Sequence, residues 1–298
     1  MDDNAIECFL KAGKIARRVQ DFARREAKPG MRLLDYCEKI EAMILSEGAG
    51  IAFPVNLSVN ECAAHYTPPE GDQTVLAESD VLKVDLGTHV EGYIADCAFT
   101  YCASGKNGAL VSASKTALAA ALGKMRAGAS IRDVGGAIEA TIRGAGFLPV
   151  ENLCGHSLEK SRIHAGLEIP NTARGSYVLR EGDVFAVEPF ASTGKGFVRE
   201  GSLCEIFALA QLGKKARLPA SRSLLEFLEK ECGTLPFAKR WLSKSGLDDA
   251  KISFAIADLS RQGVLHGYPV LNDAKGSLVS QDETSVIVEK SGVRDILA

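Results

Sequence analysis

The feature that most constrains this chain is that much of its first two hundred residues is written twice. Gly30, Asp35, Ile40, Glu41, Ala42 and Ile44 recur as Gly128, Asp133, Ile138, Glu139, Ala140 and Ile142, at one offset of 98 (128 − 30 = 98). The run GAGIAFPV (48–55) matches GAGFLPV (144–150) with a single gap. Farther on, His65 pairs roughly with His164, and Asp80-Val81 through Val84-Asp85 matches Asp183-Val184 through Val187-Glu188. Each copy reads helix, helix, strand, and ends in an acid. Such a repeat predicts two like α+β halves in a pseudo-two-fold arrangement, with acid-bearing strand ends converging on a shared cleft.

The local patterns agree. Ile6, Phe9, Leu10, Ile15, Ala16, Val19, Phe22 and Ala23 give residues 4–27 the stripe of an amphipathic helix, stopped by Lys28-Pro29-Gly30. A second helix is expected over 33–47, ending where Gly48 can take a left-handed cap, and IAFPVNLSVN follows as a strand. The second copy predicts helices over 114–125 and 131–143.

Residues 83–100, KVDLGTHVEGYIADCAFT, read as a β-hairpin joined through Gly-Thr-His-Val-Glu-Gly. Asp85 and Asp96 stand 11 residues apart (96 − 85 = 11), so antiparallel pairing can bring them together. They are either two surface aspartates flanking a turn or a buried pair. Two carboxylates in a partly dry site repel one another and must share a proton or hold a cation.

Composition excludes several classes. With 298 residues, 46% of them hydrophobic and 24% charged, the chain is an ordinary globular protein able to bury a large core. Its net charge of −3 gives no general reason to bind nucleic acid. No apolar run approaches a membrane span, and MDDNAIECFLKAGK lacks the basic and apolar regions of a signal peptide. Eight cysteines without a CxxC pair suit reduced thiols in a cytoplasmic protein rather than a disulfide scaffold or zinc knuckle.

Beyond residue 211 the periodicity changes. Ser223-Leu-Leu-Glu226 has the form of a capping box opening a helix, Pro236 suits the first turn of a second, and Asp248 or Asp249 can cap a third. VLHGYPVL then reads as strand and turn. Residues 212–271 are therefore expected as a winged-helix-like insertion into a catalytic domain formed by 1–211 and 272–298. Its third helix offers Lys251, Arg261 and Gln262 against Asp248, Asp249 and Asp258, which argues against specific DNA binding. Strand pattern returns over 276–289, with Glu283 in its middle.

Asp85, Asp96, His156, Glu188 and Glu283 all sit oddly inside apolar segments. Gathered together, four carboxylates and one imidazole suit two divalent transition metals. Spacing alone does not group them. The segments FPVNLSVNECAAHYTP, VDLGTHVEGYIADCAFT, GHSLEKSRIHAG, VEPFASTGKG and QDETSVIVEK, in this order, resemble methionine aminopeptidase of type II. That is the "pita-bread" (creatinase/aminopeptidase) fold of family M24. The resemblance spans essentially the whole chain, including the insertion that distinguishes type II, and is to the archaeal form.

The resemblance implies a monomeric cytoplasmic enzyme that removes the initiator methionine from N-terminal methionyl peptides and nascent chains when the second residue is small. It also raises association with the ribosome. It implies two divalent ions (Co, Mn, Fe or Zn): Asp96 and Glu283 bridging, Asp85 on one ion, His156 and Glu188 on the other. His65 and His164 match the non-ligand histidines, with Glu188 as proton carrier. Phe53, Pro54, Asn56, Ile163 and Tyr268 match the methionine pocket. His89 and His266 are read as structural or exposed. This chain departs from the family at Thr284, where a histidine usually follows the last ligand, and at Arg199. The competing readings are a non-catalytic binding protein of the proliferation-associated kind, against which all five ligand-competent positions argue, and a proline dipeptidase or aminopeptidase P, which carries a further N-terminal domain.

Overall fold

The structure is a computed structural model and describes residues 1–298. The first half comprises α1 (Asp3–Glu26), α2 (Leu33–Ser46), β1 (Gly50–Val59), β2 (Cys62–Ala64), β3 (Val81–Val90) and β4 (Tyr93–Cys102). The second comprises α3 (Gly108–Leu122), α4 (Ile131–Gly144), β5 (Leu148–Pro149), β6 (Cys154–Ser157), β7 (Glu168–Pro170), β8 (Val184–Val187), β9 (Phe190–Ser192) and β10 (Arg199–Leu209). Next come α5 (Pro219–Glu231), β11 (Phe237–Ala238), a 3-10 helix (Lys239–Ser245), α6 (Asp249–Arg261) and β12 (Leu265–Asn272). The chain closes with β13 (Val279–Gln281), β14 (Thr284–Val288) and β15 (Val293–Asp295).

The architecture is α+β, and the halves are alike down to single hydrogen bonds. Gly30 and Gly128 both have φ of 84°, a left-handed value that favours glycine, just before the second helix of each half. The Gly30 N–H donates to the Leu76 carbonyl at 2.8 Å, and the Gly128 N–H to the Leu179 carbonyl at 2.8 Å. Asp80 accepts the Ala77 N–H at 2.8 Å, and Asp183 accepts the Arg180 N–H at 2.8 Å. The duplication in sequence is thus a duplication in backbone.

Each half buries the apolar stripes of its helices against its own strands. Phe9, Val19, Ile40 and Ile44 of α1 and α2 pack on Leu57 and Leu86. Ala117 and Ile138 of α3 and α4 pack on Phe185 and Val286. The first half forms the sheet β1-β3-β4, and the second the sheet β15-β14-β8-β6-β7. A backbone bridge helps join the sheets: the Glu283 N–H donates to the Ala98 carbonyl at 3.1 Å, and Ala98 returns the bond at 3.4 Å. Residues 212–271 hold a separate core that includes Leu224, Leu228, Phe237, Leu242, Ile252 and Leu259. This region is tied back through the sheet β11-β10-β12-β2. No helix is long and apolar enough to cross a membrane.

Several boundaries differ from the sequence expectation. Val90 pairs with Tyr93, so only Glu91 (φ 53°) and Gly92 (φ 87°) connect the hairpin, as a two-residue turn requires, and residues 87–90 lie in β3. Helix α3 starts at Gly108 rather than near 114. Helix α5 starts at Pro219, whose missing N–H suits a first helical position, so Ser223 and Glu226 fall inside the helix. The helix expected directly after Pro236 is not an α-helix. Phe237 and Ala238 pair with Phe207 and Ile206 of β10 before the 3-10 turn, so sheet pairing overrides the local helical pattern. Residues 276–289 form two strands, with Glu283 at the break between them.

Candidate metal centre

The acids reach one cavity because strands from both halves deliver them there. Asp85 and Asp96 come from within β3 and β4 rather than from strand ends, Glu188 and Glu283 from beside the ends of β8 and β14. On the hairpin, Asp85 faces Ala98 and Asp96 faces Gly87, which sets the two aspartates on one side, a diagonal step apart. His156 stands on β6, opposite Ala186 of β8. Glu188 follows β8 directly, and Glu283 sits at the bridge to Ala98. Ser285 fixes this junction: its Oγ accepts the Asp96 N–H at 2.8 Å and donates to the Asp96 carbonyl at 2.8 Å. The five side chains line a cavity of about 420 Å³ whose lining contains no lysine or arginine.

The donor atoms are close and incompletely satisfied. The His156 Nε2 lies 3.6 Å from both the Asp96 and Glu188 carboxylates. Asp96, His156 and Glu283 offer ligand atoms all within 4.8 Å of one another. Asp85 Oδ1, Asp96 Oδ1 and Glu283 Oε1 are buried without any hydrogen-bond partner. Burial pushes the Asp85 carboxyl up to about 7, against the opposing Gln281 hydrogen bond. Burial, and then the neighbouring carboxylates, drive Asp96, Glu188 and Glu283 well above the usual carboxylate range. Burial drives His156 well below the usual imidazole value. Carboxylates left protonated or unpaired in a dry site are costly, and oxygen donors with one imidazole match divalent transition metals. The residues present fit such ions.

A neutral aromatic wall closes the other side. The His164 ring lies 4.5 Å from that of His156 and 5.9 Å from that of Tyr268, and the His65 ring lies 5.6 Å from Tyr268. Burial pushes His65 and His164 each down to about 4, so both are uncharged near neutral pH. The His65 Nδ1 lies 3.2 Å from the Pro269 carbonyl and must donate to it, which leaves Nε2 as an acceptor. Phe53, Asn56, Ile163 and Tyr268 line the same cavity. Pro54 does not: it is buried in β1, and its carbonyl accepts the Asn56 amide at 2.8 Å. His89 stays outside, accepting the Gly92 N–H at 3.3 Å. His266 is exposed but lines the cavity mouth, edge-on to Tyr268 at 4.7 Å.

Sequence reasoning missed Gln281. Its Nε2 lies 3.4 Å from Asp85, 3.2 Å from Glu188 and 3.2 Å from Glu283, so one amide meets three carboxylates. The available signal was its place two residues before Glu283, on the same face of an extended segment.

Two like halves enclosing a buried cage of carboxylates and one imidazole define a metal-dependent hydrolase of the pita-bread fold. Residues 7–209 match metallopeptidase family M24. The chain is 47% identical over 290 residues to a methionine aminopeptidase of Pyrococcus horikoshii, covering 97% of this chain and 98% of the relative. Among solved structures, a thermophilic Arx1 superposes with a TM-score of 0.87 at 20% identity, covering 99% of this chain and 91% of that one. A Thermotoga maritima methionine aminopeptidase superposes at 0.73 with 19% identity, covering 100% and 98%. At those identities the structural likeness shows the fold alone. The chain belongs to metallopeptidase family M24.

Proposed function

We propose that this protein is a methionine aminopeptidase that removes the first residue of peptides beginning Met-Gly, Met-Ala or Met-Ser, and that it works in the cytoplasm. The observation that carries the reading is the cage of five donors, three of them buried, beside an aromatic wall, in a chain nearly half identical to methionine aminopeptidases over its length. Asp85, Asp96, His156, Glu188 and Glu283 would hold two divalent ions. Asp96 and Glu283 come from the junction of the two sheets, so each half would contribute donors to the ions. Such ions supply a lowered pKa for attacking water and polarise the scissile carbonyl.

The chain's own residues do the rest. Phe53 and Ile163 receive the unbranched methionine side chain, with Tyr268 at their edge. Asn56 Oδ1, buried and unpartnered, is free to accept an N–H of the substrate's first residue. Neutral His164 donates to the carbonyl oxygen as negative charge develops on it. His65, holding its proton on Nδ1, accepts from the peptide N–H through Nε2. Glu188, at the edge of the cage, takes the water proton and delivers it to the departing amine. The two histidines crowd the side chain after the scissile bond, so small second residues are accepted. Hydrolysis of Met-Ala-Ser by the metal-loaded protein, against Met-Lys and X-Pro peptides, tests the reading. Preference for X-Pro, or no turnover with any divalent metal, would overturn it.

A further inference from the structure

A second buried ionic group lies away from the acid cage, where the inserted region meets the first half. Arg240, on the 3-10 helix, and Glu41, on α2, form an ion pair whose side chains are only 5% and 9% exposed. The other Arg240 bonds reach Thr67 Oγ1 at 2.6 Å, the Pro68 carbonyl at 3.2 Å and Cys37 Sγ at 3.1 Å. Trp241 Nε1 donates to the second Glu41 oxygen at 3.0 Å.

The first-half side chains so gathered, Glu41, Thr67 and Cys37, also grip the backbone of one β1 residue, Val55. Glu41 Oε1 accepts the Val55 N–H at 3.2 Å. Thr67 Oγ1 donates to the Val55 carbonyl at 2.9 Å, and Cys37 Sγ approaches it at 3.5 Å. Val55 thereby turns both polar backbone groups away from β3. At this point the β1–β3 register shifts, between Phe53, opposite Gly87, and Asn56, opposite Asp85. Bulges of this kind re-aim side chains. Here Phe53 crosses Gly87 so closely that a Cβ on residue 87 would lie 2.2 Å from its ring, and Asn56 comes to stand beside Asp85. Both side chains then line the cavity.

We propose that Arg240 is a positioning residue for substrate: reaching from the inserted region, it holds the β1 bulge that aims Phe53 and Asn56 at the first residue of the peptide. The inserted region thus shapes the cavity twice, directly through Tyr268 on β12 and remotely through Arg240. This rests on the reading of the cavity as the binding site for an N-terminal residue.

The test compares wild type, Arg240→Lys and Thr67→Val. Lysine keeps a charge beside Glu41 but loses the fork that reaches Thr67, Pro68 and Cys37. Thr67→Val removes one bond to Val55 at nearly constant shape, so it remains informative if the lysine variant folds poorly. Each metal-loaded protein is assayed on Met-Ala-Ser, norleucyl-Ala-Ser and Leu-Ala-Ser, with metal stoichiometry and amide exchange at Val55 and Asn56. We expect KM for Met-Ala-Ser to rise about 10-fold with kcat little changed, within the ~10²-fold that misplacement by an ångström can cost. Discrimination against Leu-Ala-Ser should fall, exchange at Val55 should quicken, and metal content should stay constant. A lower melting temperature with unchanged KM, unchanged discrimination and unchanged Val55 exchange would reduce Arg240 to a structural tie and overturn the proposal. If wild type itself fails to prefer methionine, the binding-site reading falls instead, and Val55 exchange still reports whether Arg240 holds the bulge.

Discussion

Two of the places where this molecule buries charge are built on opposite terms. At Glu41, one carboxylate meets a guanidinium, an indole N–H and a backbone N–H, so both oxygens are occupied. At the cage, one amide from Gln281 serves three of the four carboxylates, a neutral imidazole faces Asp96 and Glu188, and three carboxylate oxygens have no partner. Burial raises the carboxyl of Glu41 too, but there Arg240 opposes it, while in the cage the charges of Asp85 and Asp96 push Glu188 and Glu283 further up. Buried charge that the fold satisfies holds elements together. Buried charge that the fold leaves unsatisfied is kept for something that arrives from solution.

The comparison breaks most completely if the cage can lose a donor without consequence. Asp96→Ala or Glu283→Ala should strip metal from the protein and abolish turnover, exceeding the ~10- to 100-fold cost of losing a mere supporting residue. Metal analysis after dialysis together with Met-Ala-Ser hydrolysis checks this, and full activity of metal-free Asp96→Ala would sink the metal reading. In the other cluster, loss of the counter-ion should show in stability beside the KM effect expected of Arg240→Lys. Arg240→Met leaves Glu41 buried without its counter-ion and should cost about 3–5 kcal/mol, whereas Glu41→Gln combined with Arg240→Met should recover most of that in a denaturant titration.

His164 sharpens the distinction between holding metal and acting on substrate. Its ring touches that of His156, yet it is assigned no ligand role. His164→Ala should lower kcat by about 10²-fold, the order lost with one oxyanion donor, while metal content stays near normal. Loss of metal in this variant would move His164 into the cage. The smallest effect is expected at Gln281. Gln281→Ala should weaken metal binding by roughly 10- to 100-fold without preventing it, since the amide orients three carboxylates without replacing any donor. Competition with a chelating indicator reads this directly.

Much of this is legible in the sequence. The offset of 98 between the copies carried over to paired glycines with the same φ and to matching backbone bonds. Helices α1, α2 and α4 fall within a residue or two of where their apolar stripes predict them, because a stripe is a local property. The residue types of the cage were readable as misfits in apolar runs, but grouping them required family resemblance as well as spacing. Pro54, next to Phe53 in sequence, is buried in β1 and does not line the cavity, which adjacency in sequence does not reveal. The helix expected after Pro236 became strand and 3-10 turn because β10 offered Phe237 and Ala238 pairing partners from far up the chain.

By itself, then, the sequence determined the halves, the stripes and the chemistry available at each position, all of which depend on neighbours within a few residues. Tertiary structure decided which of those groups meet. Gln281 reaches Asp85 across 196 positions, and Arg240 reaches Glu41 across 199. Separations so long follow from how whole elements pack and where their strands end, and no local periodicity records them.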